Sequence, residues 1–226
     1  MAKKVSRKQL LKEPDQFLTF SSRMLNFAGQ YRNRILWGTV SFFGLIIAIA
    51  LVNFISSRAE TRAFALLDQA TGRYEAALAK DGPEKALEAA SGDFQKLFDD
   101  YTSQAGGQMA RVVFADACFR GGNIDRAVSL YTDALVDYAD QPFYLNRIRA
   151  SLALALVQKK DFKTAAEQFE QVVQGGRGMT DEALFHLGML YARMGEADKS
   201  RRSFDKIVAE HADSIYLELA KAGAKG

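Results

Sequence analysis

Apolar residues follow three patterns along the chain. Residues 35–55 form an unbroken apolar run without a charged side chain. Over residues 17–31, aromatic and other apolar side chains recur at three- and four-residue steps, and this helical spacing returns after residue 56 in segments separated by polar or glycine-containing turns. The pattern predicts an all-α protein with a short tail, one membrane-type helix and a large helical domain.

Residues 35–55 have the length and composition of a transmembrane helix. Twenty-one residues at about 1.5 Å each extend roughly 31 Å, which matches a hydrocarbon core of about 30 Å. Trp37 and Asn53 lie near its two ends, where their polar groups can reach the membrane interface. A cleaved signal peptide is the alternative, because residues 48–50 have a small-x-small form. Apolar residues continue beyond that site, which favours an uncleaved anchor.

Residues 1–34 are predicted to be a basic tail that contains an amphipathic helix beginning near Pro14. Such a helix suits the inner leaflet, where aromatic side chains and basic charge both favour binding. The alternative is a flank of the span with little structure of its own. The apolar stripe of this helix consists of Phe17, Phe20, Met24, Phe27 and Tyr31.

Charge is distributed unevenly and orients the predicted span. Of 30 basic and 27 acidic residues, eight and two lie in residues 1–34, so the tail carries +6 and the remainder −3. Basic flanks stay on the cytoplasmic side. We therefore predict a single-pass membrane protein with a cytoplasmic N-terminus and a translocated C-terminal domain, and a cytosol-facing domain on an organelle or cell membrane is the alternative. The negative balance of that domain argues against binding to nucleic acid.

Residues 56–83 are predicted to be a connecting helix that ends at Asp81-Gly82-Pro83, where glycine caps one helix and proline begins the next. Its apolar stripe could pair with a second copy in a coiled coil and form a homodimer. The stripe covers only about two heptads, fewer than such a coil needs. Packing on the helices that follow is therefore the favoured interpretation.

From residue 84 onward the sequence repeats itself. Each unit has an aromatic residue and, three positions later, an aliphatic or small one, and the aromatics are 37, 38 and 35 residues apart. A period in this range is typical of stacked helical hairpins, each too small to bury its own apolar face. The pairs are Phe94 and Leu97, Tyr131 and Ala134, Phe169 and Val172, and Phe204 and Ile207, with turns expected at residues 106–107, 121–123, 159–161, 175–178 and 195.

These units resemble the tetratricopeptide repeat (TPR) family over about residues 84–222. Small residues at the family's positions allow two helices to approach closely, and the aromatic fills the neighbouring gap. Lys160 replaces the turn glycine, and Ser200 stands where the family prefers alanine. The resemblance implies an α-solenoid over residues 84–226, closed by a last helix, 215–221, after Asp213-Ser214. The matching residues are Leu184, Leu187, Gly188, Tyr191, Gly195, Phe204 and Ile207 in the last unit, Ala115, Gly122, Ala127, Tyr131 and Ala134 in an earlier one, and Ala153, Ala165 and Phe169 between them.

The layout of tail, span and repeats is also similar to the bacterial family of ancillary translocon subunits (YfgM-like), which have a cytoplasmic N-terminus, one span and a periplasmic TPR domain. The long basic tail departs from that family. The resemblance implies a single-pass protein of the bacterial inner membrane with a periplasmic C-terminal domain, which acts as a scaffold that binds envelope or translocating proteins on the periplasmic side. The alternative function is a structural tether or dimerisation module without a groove ligand.

The sequence shows no catalytic constellation, no metal-ligand motif and no cofactor motif, so an enzyme is not predicted. His186 is expected to pack within a first helix, and His211 lies near the end of a second helix, where a cation is favourable. Cys118 is expected to be a buried, inert thiol. A single cysteine cannot form an intrachain disulfide.

The first helices of TPR proteins line a concave face, which implies a binding surface for a peptide segment or a helix of a partner protein. Matching positions here mix apolar and charged groups. The alternative is that several of them pack against residues 56–80 or against a second copy. The candidate partner-binding residues are Met109, Val112, Asp116, Phe119, Arg120, Arg147, Leu154, Glu182, Phe185, Met189 and Arg193, together with the apolar Ala150 and Val157.

Overall fold

The computed structural model describes residues 16–176 and 178–224, with side chains from residue 22 onward. The basic run at residues 3–12 and Pro14 of the predicted tail lie outside the described residues. The chain divides into two compact units, Met1–Ser56 and Ser57–Gly226. The described residues contain helices and no strand: α1 (Gln16–Gln30), α2 (Arg32–Asp81), α3 (Pro83–Asp100), α4 (Ala105–Arg120), α5 (Ile124–Asp137), α6 (Pro142–Gln158), α7 (Phe162–Gly175), α8 (Thr180–Arg193), α9 (Ala197–Glu210) and α10 (Leu217–Gly223).

The first unit contains α1 and the first half of α2, and its apolar side chains are exposed. Trp37 is 68% exposed, and Met24 and Phe27 of α1 are also exposed. By length and composition, the apolar stretch of α2 could cross a membrane, and its side chains are exposed. A signal sequence near the N-terminus and the core helix of a soluble protein can have the same length and composition.

In the second unit, the later turns of α2 pack against the helices that follow. Ala63, Leu67, Ala70 and Tyr74 recur at helical spacing and are buried in the same core cluster as residues of α3 to α8. The expectation that this segment packs on the following helices is therefore confirmed. The turn after it also has the expected form, because Gly82 takes a φ of 85° and proline follows at the first position of α3.

The rest of the second unit consists of α3, then three stacked hairpins, α4 with α5, α6 with α7, and α8 with α9, and finally α10. Their core consists of the aromatic and aliphatic pairs that repeat in the sequence, and every member of these pairs is buried. This confirms the predicted repeat pattern. The exposed fractions are 0% for Phe94, Leu97, Ala134, Phe169, Val172 and Ile207, 2% for Tyr131 and 3% for Phe204.

The three hairpin turns share one backbone geometry. Gly122, Lys160 and Gly195 occupy the same turn position with φ angles of 79°, 64° and 79°. In each turn, the backbone N–H of the next residue donates a hydrogen bond to the carbonyl five residues before it. This bond satisfies a carbonyl that the end of the helix would otherwise leave unpaired. These bonds join Asn123 N to Cys118 O at 2.9 Å, Asp161 N to Leu156 O at 3.0 Å and Glu196 N to Tyr191 O at 2.8 Å.

Small residues bring the two helices of the last hairpin together. A Cβ atom on Gly188 would lie 2.5 Å from the ring of Phe204, so only glycine fits there. The buried Ser200, which replaces the family's alanine, donates a hydrogen bond of 2.8 Å to the Gly188 carbonyl. The hydroxyl is therefore satisfied at a position that normally takes an apolar residue.

The expected turn at residues 106–107 was wrong, because both glycines lie in the first turn of α4 and are buried. A Cβ on Gly106 would lie 2.8 Å from the Cβ of Ala63, and one on Gly107 would lie 1.9 Å from the carbonyl oxygen of Tyr101. Close approach of α2 and of the preceding turn requires these glycines.

The last helix also begins later than predicted. It covers Leu217–Gly223 instead of residues 215–221, and no side chain caps its first turn. Ser214 Oγ instead accepts a hydrogen bond of 3.1 Å from Tyr216 N and donates one of 2.5 Å to Asp181. The predicted covering role is confirmed, because Ala220 is buried against the cluster that contains Phe204.

Candidate functional site

The second unit has a groove of about 390 Å³ between α2, α4 and α6, closed on one side by the turn between α5 and α6. First helices of consecutive hairpins therefore form its walls. Four predicted binding residues meet there: Met109, Val112, Asp116 and Arg147. The other lining residues, which the sequence did not single out, are Phe64, Ala105, Gln108, Val113, Tyr138, Gln141, Tyr144 and Ile148.

Large apolar side chains of the groove are open to solvent. Phe64 is 44% exposed, Met109 47% and Tyr144 52%. The rings of Tyr138 and Tyr144 contact each other with centroids 5.7 Å apart, and Phe143 beside them is also exposed. Exposed aromatic and methionine side chains that share one concavity are typical of a protein-binding surface.

Two charged side chains line the groove, and their surroundings differ. The hydroxyl of Tyr131 donates a hydrogen bond to the Asp116 carboxylate. Burial is the main cause that raises the pKa of Tyr131, and the Asp116 carboxylate raises it further, so the phenol keeps its proton. Arg147 is exposed and makes no ion pair or hydrogen bond among the described residues. Its guanidinium is therefore free to bind a ligand.

Two polar contacts fix the walls of the groove. Glu60 of α2 accepts hydrogen bonds of 3.1 Å from Ala105 N and 3.0 Å from Gly106 N, so a carboxylate occupies the N-terminus of α4. Arg111 of α4 pairs with Asp137 at the end of α5 and donates to Thr102 Oγ1. The first contact joins α2 to α4, and the second holds α4 against α5.

Three further predicted residues lie on α4 and α6 outside the groove lining. Phe119 and Leu154 are partly buried and pack against the core cluster. Arg120 lies with its guanidinium carbon 5.8 Å from the ring centroid of Tyr74. Arg120 therefore contacts residues 56–80, which is the alternative stated for these positions, whereas Phe119 and Leu154 pack on the core.

The predicted residues of α8 are not brought to the groove. Phe185 stacks on Tyr216 with ring centroids 4.8 Å apart, so the C-terminal segment covers it. Met189 borders a separate cavity of about 360 Å³ beside Gly223, and Arg193 lies 4.6 Å from the ring centroid of Phe162. Glu182 is partly exposed, and burial, with the nearby charge of Asp181, raises its pKa.

Burial and ring packing describe the surroundings of Cys118 and His186. Cys118 is 1% exposed, and burial raises the pKa of its thiol to about 11, so the sulfur remains protonated near neutral pH. The His186 ring stacks on Phe169 at 5.0 Å, and burial lowers its pKa. Among the described residues, no group of three or more His, Cys, Asp or Glu side chains could hold a metal ion.

Stacked helical hairpins with an exposed groove define a helical-repeat protein of the kind that binds other proteins. The comparison with protein families agrees with this class. The chain belongs to the tetratricopeptide repeat-like domain family, whose model matches residues 26–221. No curated protein sequence matches the chain.

Solved structures show the same fold. The chain is similar to BtubC from P. vanneervenii, with a TM-score of 0.59, 15% identity and coverage of 78% of this chain and 77% of that one. It is also similar to a tetratricopeptide repeat protein from Parabacteroides merdae, with a TM-score of 0.57, 17% identity and coverage of 71% and 59%. For MamA from Desulfovibrio magneticus, the TM-score is 0.51 and the identity 17%, with coverage of 71% of this chain and 88% of that one. At these identities the likeness concerns the fold alone.

Proposed function

We propose that this protein is a membrane-anchored scaffold, which holds partner proteins in a groove of its repeat domain on the periplasmic side of the bacterial inner membrane. The observation that carries the proposal is the open groove with exposed Phe64, Met109 and Tyr144. Single exposed apolar residues are ordinary on a monomer, but several that line one concave surface mark an interaction site. A repeat domain that served only as a tether would not need such a surface.

The exposed apolar stretch of α2 supports the anchor. It lies in the same helix as Ala63 and Leu67, which are buried in the repeat domain. Cleavage after residue 50 would leave apolar residues 51–55 at a new N-terminus, which is unfavourable in water. Epitopes at both ends should therefore be detected on one full-length band that resists extraction with alkaline carbonate. A shorter, extractable band would contradict the anchor.

The basic tail supports the orientation. A reporter that is active only outside the cytoplasm, fused after Gly226, should give signal, and the same reporter fused after residue 34 should not. Protease added to spheroplasts should digest the repeat domain. Protection of that domain would reverse the proposed topology.

Photo-crosslinking in intact cells tests the scaffold function. A photoreactive amino acid at Met109, in the groove, should crosslink to other proteins, whereas the same group at the exposed Asp133 of α5 should not. Crosslinks only between copies of this chain would support the dimerisation module instead. Equal crosslinking at both positions would show random contact and count against a groove ligand.

A further inference from the structure

We propose that the first unit binds a phospholipid with a net negative headgroup, whose phosphate pairs with Arg32 and whose acyl chain lies along α2. This inference rests on the proposed membrane anchor and names a lipid that the anchor would select. The observation that carries it is a notch of about 450 Å³ in the first unit, across the junction of α1 and α2. The notch is lined by Ala28, Arg32, Ile35, Leu36, Thr39 and Val40.

The notch has one charged end and one apolar end. Arg32 supplies the charge. Beyond it, Ile35, Leu36 and Val40 are 45%, 56% and 53% exposed. The Thr39 hydroxyl donates a hydrogen bond of 2.8 Å to the Ile35 carbonyl, so its proton needs no other acceptor. The lining therefore fits a ligand with a charged head and an apolar chain.

The order of these groups along the helix matches a phospholipid in the cytoplasmic leaflet. Arg32 precedes the apolar run of residues 35–55 by three positions, which is about 4.5 Å along a helix and corresponds to the level of the headgroups. Val40 lies about 12 Å further along the helix, at the level of the acyl chains. The volume of the notch is within the usual range for a site that holds a small molecule.

Charge complementarity selects an anionic lipid. The sequence has no Asp or Glu from residue 16 to residue 59, whereas Arg23, Arg32 and Arg34 all lie there. Arg32 makes no ion pair or hydrogen bond among the described residues, and Arg34 instead lies 5.7 Å from the ring centroid of Tyr31. A guanidinium binds a phosphate in fork geometry, and basic residues beside a span attract the anionic lipids of the cytoplasmic leaflet.

The same charges disfavour a second copy of the chain in the notch. In a parallel pair of spans, equivalent residues lie at the same depth, so Arg32 of one copy would meet Arg32 or Arg34 of the other. The sequence has no carboxylate at this depth that could pair with them. A lipid phosphate supplies the negative charge that the chain lacks there.

The test uses the full-length protein in lipid nanodiscs, with its own tryptophan as the reporter. Trp37 is the one tryptophan of the chain, is 68% exposed and follows Leu36 of the notch. Two sets of discs contain the same mixture of phosphatidylglycerol and phosphatidylcholine, and bromine, a short-range quencher of tryptophan fluorescence, is placed on the acyl chains of one lipid or the other. Quenching in the wild type should show that phosphatidylglycerol associates about 5-fold more strongly than phosphatidylcholine.

A matched control lies two residues away. Arg32→Gln should reduce this preference to less than about 2-fold, whereas Arg34→Gln removes the same charge outside the notch lining and should retain it. Arg32→Lys should retain part of the preference, because an ammonium keeps the charge and loses the fork. Ala28→Phe should fill the notch and reduce the preference without a change in charge. Circular dichroism should show unchanged helicity in each variant.

The outcomes separate this inference from the proposed membrane anchor. Equal quenching by the two brominated lipids would overturn the inference, and a full-length band that resists carbonate would still support the anchor. Equal losses in Arg32→Gln and Arg34→Gln would also overturn it, because net charge and not the notch would then attract the lipid. A preference that requires two copies in one disc would assign the notch to a contact between copies. Absence of quenching by either lipid would overturn both the inference and the anchor.

Discussion

Lys160 shows how a single residue can depart from a repeat pattern without changing the backbone. It takes a φ of 64°, in the left-handed region that Gly122 and Gly195 occupy in the equivalent turns. A side chain with a Cβ atom costs about 1–2 kcal/mol in this conformation. The surrounding hairpin therefore imposes the turn on a residue that does not favour it.

We expect Lys160→Gly to raise the free energy of unfolding by about 1 kcal/mol, because it removes that conformational cost. Gly195→Ala should lower it by a similar amount. A Cβ at Gly195 has no atom within 4 Å, so the loss would come from the backbone alone. Urea unfolding of both variants gives the measurement. A destabilising Lys160→Gly would show that the lysine side chain makes a compensating contact.

A second residue-scale prediction concerns Cys118. Burial raises the pKa of its thiol to about 11. In the folded protein, labelling by a thiol-disulfide reagent at pH 8 should be slow, and in urea it should be fast. The ordinary thiol pKa is 9.0, so the unfolded chain loses this proton first as the pH rises. The thiol should therefore reduce stability between about pH 9 and 11, and Cys118→Ala should show a smaller loss over that range. Rapid labelling of the folded protein would contradict the burial.

At the scale of helices, the contact between α2 and α4 depends on glycine. Gly106→Ala would place a Cβ atom 2.8 Å from that of Ala63 and 2.9 Å from its backbone carbonyl carbon. Backbone cannot move aside as a side chain can, so we expect a loss of about 1–3 kcal/mol. Thermal unfolding measured by circular dichroism gives the test.

Gly72→Ala is the matched control for this prediction. Gly72 lies in α2, the helix that contacts α4 at Gly106, and a Cβ there would meet no atom within 4 Å. Alanine favours a helix over glycine by up to about 1 kcal/mol, so this variant should be stabilised. Equal effects of the two substitutions would mean that helix propensity, not the approach of α2 to α4, determines the outcome.

Phe204 anchors the last hairpin together with α10. Phe204→Ala should lower stability by about 3–5 kcal/mol, the range for a buried phenylalanine. In a solenoid, each repeat contacts only its neighbours, so such a loss destabilises the neighbouring helices first. Hydrogen exchange should therefore speed up in α8 to α10 before α4 and α5. Uniform acceleration across the domain would show that the repeats unfold as one cooperative unit.

The sequence was most informative where spacing within one hairpin decides the structure. Phe94, Tyr131 and Phe169 could be placed in the core because each packs at a fixed helical interval from its neighbours. Contacts between distant segments were harder to predict. Gly106 looked like a turn residue in the sequence. The structure requires a glycine there because Ala63 approaches closely, and Ala63 lies more than 40 residues earlier in the chain.

The same distinction explains the candidate site. Met109 and Arg147 could be identified from their positions on first helices. The role of Phe64 could not, because its apolar stripe was interpreted only as packing surface. Phe185 was expected on an open face, but Tyr216 covers it through a loop that follows no periodic pattern. Sequence spacing predicts which face of a helix a residue occupies, and it does not predict what covers that face.

At the scale of the whole molecule, the two units differ in what stabilises them. The second unit has a continuous core from α2 to α8 and a smaller cluster that joins α8, α9 and α10. In the first unit, the described side chains are almost all exposed. The repeat domain can therefore be stable by its own packing, whereas the described part of the first unit contributes no residue to either core cluster.

The bond from Glu60 to the start of α4 also has a consequence for the order of folding. It joins residues 45 positions apart, whereas the turn bonds of the hairpins close within five. Local hairpins should therefore form early, with docking of α2 as a later step. We expect Glu60→Gln to accelerate unfolding and to leave the refolding rate nearly unchanged, as stopped-flow kinetics can measure. In a growing chain, α2 is synthesised before every hairpin, so it must wait for the first hairpin, α4 with α5, before it can dock.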